Sequence, residues 1–294
     1  MEALVQLTAN GLVAGATYAP VALGFGLILG VARFWHFAHG AAYVLAAYAG
    51  FVLATGLHLP LVGAIAGAML GAAALGALFE VWLYRPLRRA RVGPHVMLVA
   101  SLGAYIVLSN LVPLAFGFDV QVLTGAAPAG SVALGYARLT WINLAMLAVG
   151  ALLFVALLVF VRATRAGRSI RAVISNPEMA EVVGIDVDQV RLLTFILGSA
   201  LAAPAAVLVA ADTGAHPEMG LTATLIAAVS VVVGGLGSLP GAFVGALIVG
   251  LAQNVGVWKV SSAWQQAIAF GLLLAFILFR PTGVFGRRLW RSHV

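Results

Sequence analysis

Side chains able to do chemistry are few in this chain, and two of them stand together. His36 and His39 lie in the run Arg33-Phe-Trp-His-Phe-Ala-His-Gly40. Three residues apart, they would share one face of a helix. Polar side chains at membrane depth face a bundle interior or a water-filled path. The pair therefore reads either as part of a solute path or as two rings bonded to neighbouring helices. Metal or haem ligation has little support, since no carboxylate stands near them and no matched histidine pair occurs in another apolar run. Ser238, within Gly234-Gly-Leu-Gly-Ser-Leu-Pro-Gly241, lacks the G-x-S-x-G frame of a nucleophile elbow. Lys259 is the only lysine, so the chain has no G-x-x-x-x-G-K-[ST] phosphate loop. The apolar runs hold almost no acids, Glu80 lying near the end of one. Proton-driven carriers keep an intramembrane acid or an acid–histidine relay, which weighs against a self-powered carrier.

Composition dictates the elements that must hold these residues. Of 294 residues 63% are hydrophobic, 9% are charged and 34 are glycine; mean hydropathy is +1.09. Such a chain is an all-α polytopic integral membrane protein, and no soluble enzyme or nucleic-acid domain fits within it. Small residues let its helices approach closely in lipid. The net charge of +7 is then a topology signal and not a nucleic-acid signature. The absence of cysteine excludes disulfides and thiolate metal sites. The N-terminus has no basic n-region and its apolar run is too long for a signal peptide, so it is expected to be a retained first span.

About 20 apolar residues cross a bilayer core. On that measure spans are expected at 3–32, 40–57, 59–79 (ending near Glu80), 96–118, 139–161, 192–211 and 260–279. The uncharged run 219–258 is long enough for two more, interrupted at the Gly234–Gly241 segment. Basic loops mark the cytoplasmic side. Arg85–Arg91, Arg162–Arg191 and Arg280–Arg291 should lie there, with 119–138 and 212–218 outside. Nine crossings, N-terminus outside and C-terminus cytoplasmic, satisfy all of these, provided the Gly234–Gly241 break sits toward the cytoplasmic side. Eight spans and a re-entrant piece are the alternative.

The longest polar interval is 162–191. It carries five of the 15 arginines, Arg162, Arg165, Arg168, Arg171 and Arg191, and four of the nine acids, Glu178, Glu181, Asp186 and Asp188. Arginine at every third position in its first part suggests one side of a helix continuing out of the membrane. The second part reads as a separate short helix. Asn176 is a good N-cap, Pro177 suits the first position, Glu178 favours the positive helix end and Gly184 stops it. It is either a docking knob for a soluble partner or a solvated loop.

A path through the bundle has three candidate linings. Asn10 and Thr17 are two helical turns apart on the first span, with Tyr18 beside them. That face leads to His36 and His39. Gly235 and Gly237, in the Gly/Pro break, would free backbone groups for a small polar or zwitterionic solute if the break is a discontinuous helix near the midplane. If it is a tight turn between close-packed helices, the polar residues bond only their neighbours.

Five motifs, in order and over essentially the whole chain, resemble the permease subunits of branched-chain amino-acid ABC importers. They are HFAHG (36–40), YRPLR (84–88), the interval RATRAGRSIRAVISNPEMAEVVGIDVDQV (162–190), GGLGSLPGA (234–242) and FRPTGVFGR (279–287). Without a long extension, the chain looks most like the smaller permease of the pair. His36 departs from the family's usual Asn; a path-facing histidine there would move the cargo away from leucine, isoleucine or valine, and family relatives carry urea, short amides or aromatic acids. The resemblance implies one transmembrane domain over 1–294 and no chemistry on the substrate. It further implies ATP-driven alternating access in an inner membrane, with a coupling helix (Asn176, Pro177, Glu178, Glu181, Gly184) seated on an ATPase subunit. The partners implied are two ATPase subunits that bind ATP and magnesium, a second homologous permease or a second copy of this one, and a periplasmic substrate-binding protein. The chain itself would hold no cofactor. A self-contained channel or secondary carrier, conducting without any ATPase, is the rival.

Overall fold

The computed structural model describes residues 2–123 and 130–285. Its helices are α1 (Glu2–Ala32), α2 (His39–Phe51), α3 (Leu61–Leu78), α4 (Arg85–Arg89), α5 (Pro94–Phe116), α6 (Trp141–Ala163), α7 (Arg165–Ser175), α8 (Pro177–Val182), α9 (Val187–Thr213), α10 (Met219–Gly234), α11 (Leu239–Gly256) and α12 (Gln265–Phe279). A hairpin of β1 (Ser131–Leu134) and β2 (Ala137–Thr140) precedes α6. Among the described residues eight helices are long and apolar enough to cross a membrane, and α10, at 16 residues, is shorter. The protein is thus an all-α polytopic membrane protein.

Helix α1 runs through the middle of the bundle, packed on α6, α9, α10 and α11. Small residues set these approaches. A Cβ added at Gly24 would strike the carbonyl oxygen of Gly198 on α9, so the two backbones meet there without side chains between them.

The two ends of the bundle differ in charge. At one end Gln6 Nε2 donates to the Arg138 carbonyl at 3.0 Å, and Gln121 bridges to Ala215 in antiparallel fashion. Asp119 follows α5, Asp212 lies in the last turn of α9 and Glu218 immediately precedes α10. At the other end Arg33 Nη2 donates to the Ile174 carbonyl at 3.4 Å, and α4, α7 and α8 gather with Arg85, Arg88, Arg165, Arg168 and Arg171. The turn between α10 and α11 also lies at this basic end, where Leu236 and Gly237 share a cavity wall with Arg33 and Ile174. Arg287, Arg288 and Arg291 lie outside the described residues.

Three expectations change in detail. The third span does not stop near Glu80. The helix continues through π-helical Phe79–Tyr84 into α4, and Glu80 is buried. The arginines from 162 onward do not lie on one helix continuing out of α6. Thr164 ends α6 and caps α7, its hydroxyl accepting from Gly167 N at 2.9 Å, and Gly167 lies so close to the Phe160 and Val161 backbone that no Cβ would fit. The Gly234–Gly241 run is a tight turn between two antiparallel helices and not a discontinuous helix. Gly235 and Gly237 take φ of 112° and 78°, a region open to glycine, and Ser238 caps α11 by accepting from Gly241 N at 3.1 Å. Val284 N and Phe285 N donate to the Val233 and Gly234 carbonyls at 2.9 Å, so the two C-terminal motifs close on each other.

Candidate functional site

A cavity of about 370 Å³ opens between α1, α2, α10, α11 and α12. Helix α1 gives it Thr17, Tyr18 and Val21, and α2 gives Tyr43. His216 and Thr222 contribute from α10 and the segment before it, Gln253 from α11, and Gln265 and Gln266 from α12. No Asp, Glu, Lys or Arg is in this lining. Thr17 spends its hydroxyl on its own helix, donating to the Val13 carbonyl at 2.8 Å. Gln253 is 3% exposed; its Nε2 donates to the Gln265 carbonyl at 3.2 Å, and its Oε1 has no partner. Gln253 and Tyr43 were not singled out from sequence. The signal was present, because Gln253 and Asn254 are the only side-chain amides in the uncharged run 219–258.

The remaining path candidates lie elsewhere among the described residues. Asn10 accepts from Gln6 Nε2 at 2.8 Å, one turn away on the same helix. Gly237 faces the basic-end cavity beside Leu29, Gly30 and Arg33. Tyr18 and Gly30 are about 18 Å apart along α1, at 1.5 Å per residue, so the glycine turn does not oppose the Thr17–Tyr18 face. Gly235 sits in the same turn as Gly237, against the Gly283 backbone.

His36 and His39 are fully buried where α1 hands over to α2, their ring centroids 6.0 Å apart. The Tyr84 hydroxyl is hydrogen-bonded to His36 Nδ1 at 2.8 Å. Ser101 Oγ accepts from Ala38 N at 2.9 Å, which pins the connecting segment to α5. Phe79, Tyr84 and Phe195 surround the His36 ring with centroids 5.7, 5.4 and 5.1 Å away. His36 therefore has an aromatic cage around it and an OH partner at one nitrogen.

The segment read as a docking knob has the local form its residues suggested. Asn176 Oδ1 accepts from Met179 N at 3.1 Å, Pro177 opens α8, and Gly184 follows at φ 85°. Gly184 N donates to the Glu181 carbonyl at 3.0 Å and Ile185 N to the Ala180 carbonyl at 2.9 Å, a Schellman closure. Ala180 is buried beneath α8, while Glu178, Met179, Glu181, Val182 and Val183 are exposed, Val182 at 78%. Apolar side chains flanked by two acids thus face away from the bundle. Just beyond, Asp188 at the start of α9 pairs with Arg85 at 3.1 Å and Arg191 at 3.2 Å, and Arg88 joins Asp188 to the buried Glu80. The start of α9, which follows the knob, is therefore tied through charge to the end of the α3–α4 rod, which also carries Tyr84.

Membrane-length helices around an uncharged polar cavity, with a capped knob at the basic end, define a multi-pass membrane protein of the transport class. Residues 7–277 match the profile of the family described as the branched-chain amino acid transport system / permease component. The chain belongs to that family and is a transport permease component of a cell membrane. It is 32% identical over 96% of both chains to the high-affinity branched-chain amino acid transport system permease protein BraD of Pseudomonas aeruginosa. It is 33% identical, again over 96% of both, to the permease protein LivH of Escherichia coli K12. A more distant relative, the ribose import permease protein RbsC of Escherichia coli K12, is 29% identical over 80% of this chain and 74% of its own length. Among solved structures, PsaBC from Streptococcus pneumoniae in complex with Fab matches with a TM-score of 0.51 over 94% of this chain and 92% of that one. At 14% identity that likeness concerns the fold alone.

Proposed function

We propose that this chain is the membrane-spanning subunit of an ATP-driven importer of amino acids, the branched-chain class being the first candidate cargo. The observation that carries this reading is α8, a short helix capped at both ends that holds Met179, Val182 and Val183 out from the basic end. Its apolar tip with acids beside it suits a groove on a soluble subunit. Family membership and the permease relatives supply the transport context, and in this reading ATP and magnesium are bound by that partner. The basic end is cytoplasmic by its arginine excess, which sets the N-terminus outside and the C-terminus inside the inner membrane. A substrate-binding protein would meet the opposite end, near 119–138 and 212–218. Two ATPase subunits and a second permease, homologous or identical, complete the assembly.

A charge on the tip of α8 tests this. Val182→Asp, at a residue 78% exposed, should leave folding intact and abolish co-purification of the ATPase subunit. Undiminished ATPase binding by that variant would remove α8 from the contact.

A further inference from the structure

We propose that Asp188 is a positioning residue for coupling, holding the chain that carries α8 against the α3–α4 rod so that force on α8 reaches the junction of α1 and α2. The inference rests on the importer reading and names the residue through which its coupling helix acts.

Asp188 is free for this task because the cap of α9 is supplied two residues earlier, where Asp186 Oδ1 accepts from Gln189 N at 3.0 Å. Its carboxylate is spent on guanidinium groups instead. Arg85 Nε donates to Oδ2 at 3.1 Å, Arg191 Nη1 donates to Oδ1 at 3.2 Å, and Arg88 Nη2 stands 3.6 Å from Oδ1. Arg85 and Arg88 belong to α4, so these two contacts join separate elements. Only residues 183–187 separate α8 from Asp188, and the Gly184 closure folds them back onto α8. On the far side Glu80 fixes Arg88. Both Nη atoms of Arg88 bond the Glu80 carboxylate, one of them at 3.0 Å, and Glu80 is 1% exposed. A bidentate pair dictates geometry, and breaking a buried one is costly, so Arg88 is held in place to meet Asp188. Glu80 and Tyr84 share the π-helical segment Phe79–Tyr84, a form that recurs at functional sites, and the Tyr84 hydroxyl is bonded to His36 Nδ1 at 2.8 Å. Stability does not account for the Asp188 contacts. The Arg85 and Asp188 side chains are 39% and 34% exposed, and ion pairs open to water contribute little. What they supply is direction: a carboxylate set between two arginines of α4 fixes where the start of α9, and α8 before it, must sit.

Two variants of the assembled transporter test this, read in proteoliposomes as L-leucine taken up per ATP hydrolysed. Asp188→Asn keeps the size of the side chain and removes its charge. It should lower the melting temperature in detergent by no more than about 2–4 °C. It should also retain the ATPase subunit on co-purification, because the tip of α8 is untouched. Uptake per ATP should fall about fivefold or more, the scale of coupling between distant sites. Asp188→Glu keeps the charge and should recover most of the ratio. An unaltered ratio in Asp188→Asn overturns the assignment. So does a loss of uptake that Asp188→Glu fails to restore, or one that follows a larger fall in melting temperature, as a purely structural contact would give. Loss of the ATPase subunit from Asp188→Asn would overturn it as well, by placing Asp188 in the docking surface. If the unaltered assembly takes up no leucine with ATP, the importer reading falls, and this role for Asp188 falls with it.

Discussion

His36 illustrates what one residue type does and does not disclose. Its polarity in an apolar run marks it as a residue with a partner, but the partner is Tyr84, 48 positions later, and the ring against its face is Phe195. Neither pairing leaves a local trace, because both come from how α3, α9 and the α1–α2 junction pack. Asparagine at this position is shorter and would lose the hydrogen bond to the Tyr84 hydroxyl and leave space in the aromatic hollow. We expect His36→Asn to destabilise the folded protein by about 1–2 kcal/mol, read as a lower melting temperature in detergent. Relative uptake of leucine, isoleucine and a short amide should stay as it was. A shifted preference with unchanged stability would put His36 on the solute path. Gln253 is the reverse case. Its amide was visible in an uncharged run, yet only the fold shows Oε1 left without a partner.

At the scale of elements, legibility followed locality. The cap, the opening proline and the stopping glycine of α8 act within a few residues of one another, and each takes the expected place. The arginine repeat misled, because spacing alone cannot register the Thr164 cap or the lack of room at Gly167 that starts α7 as a helix of its own. The Gly234–Gly241 run was ambiguous for a related reason. A discontinuous helix and a tight turn need the same glycines and proline, and the choice was made by tertiary contact, with α10 and α11 touching at Gly234 and Gly241 and the 284–285 backbone sealing the turn. Gly184 offers the sharpest test here. At φ 85° with open space around it, a β-branched side chain would meet only backbone strain, about 1–3 kcal/mol. Gly184→Val should insert normally and lose substrate-stimulated ATPase activity in the assembled complex. Full stimulation would show that the shape of α8 does not matter for coupling.

Over the whole molecule, span positions were legible because the bilayer imposes a length on each apolar run. The observed helices begin and end within a few residues of the expected spans, apart from the rod that passes Glu80. The apposition of ends was not legible. The structure brings Arg33, the α10–α11 turn, α4 and α7 to one end and Gln6, Arg138, Gln121 and Ala215 to the other. If the basic end is cytoplasmic, as proposed, Arg89→Cys and Arg168→Cys should be shielded from an impermeant thiol reagent added outside intact cells. Tyr136→Cys, on the hairpin and 69% exposed, should react. It is a better reporter there than Gly130, whose φ of 128° resists a side chain. Outside labelling at Arg168→Cys would invert the orientation.

In the proposed function, solute movement through this chain is driven by ATP on a separate subunit seated against α8. Leucine uptake into proteoliposomes tests it most directly, comparing this chain alone with the chain assembled with its ATPase subunits, its permease partner and its binding protein. Uptake should require the assembly and ATP, and should fall to background in the chain alone. ATP-independent flux through the chain alone would contradict the account and establish a channel or carrier.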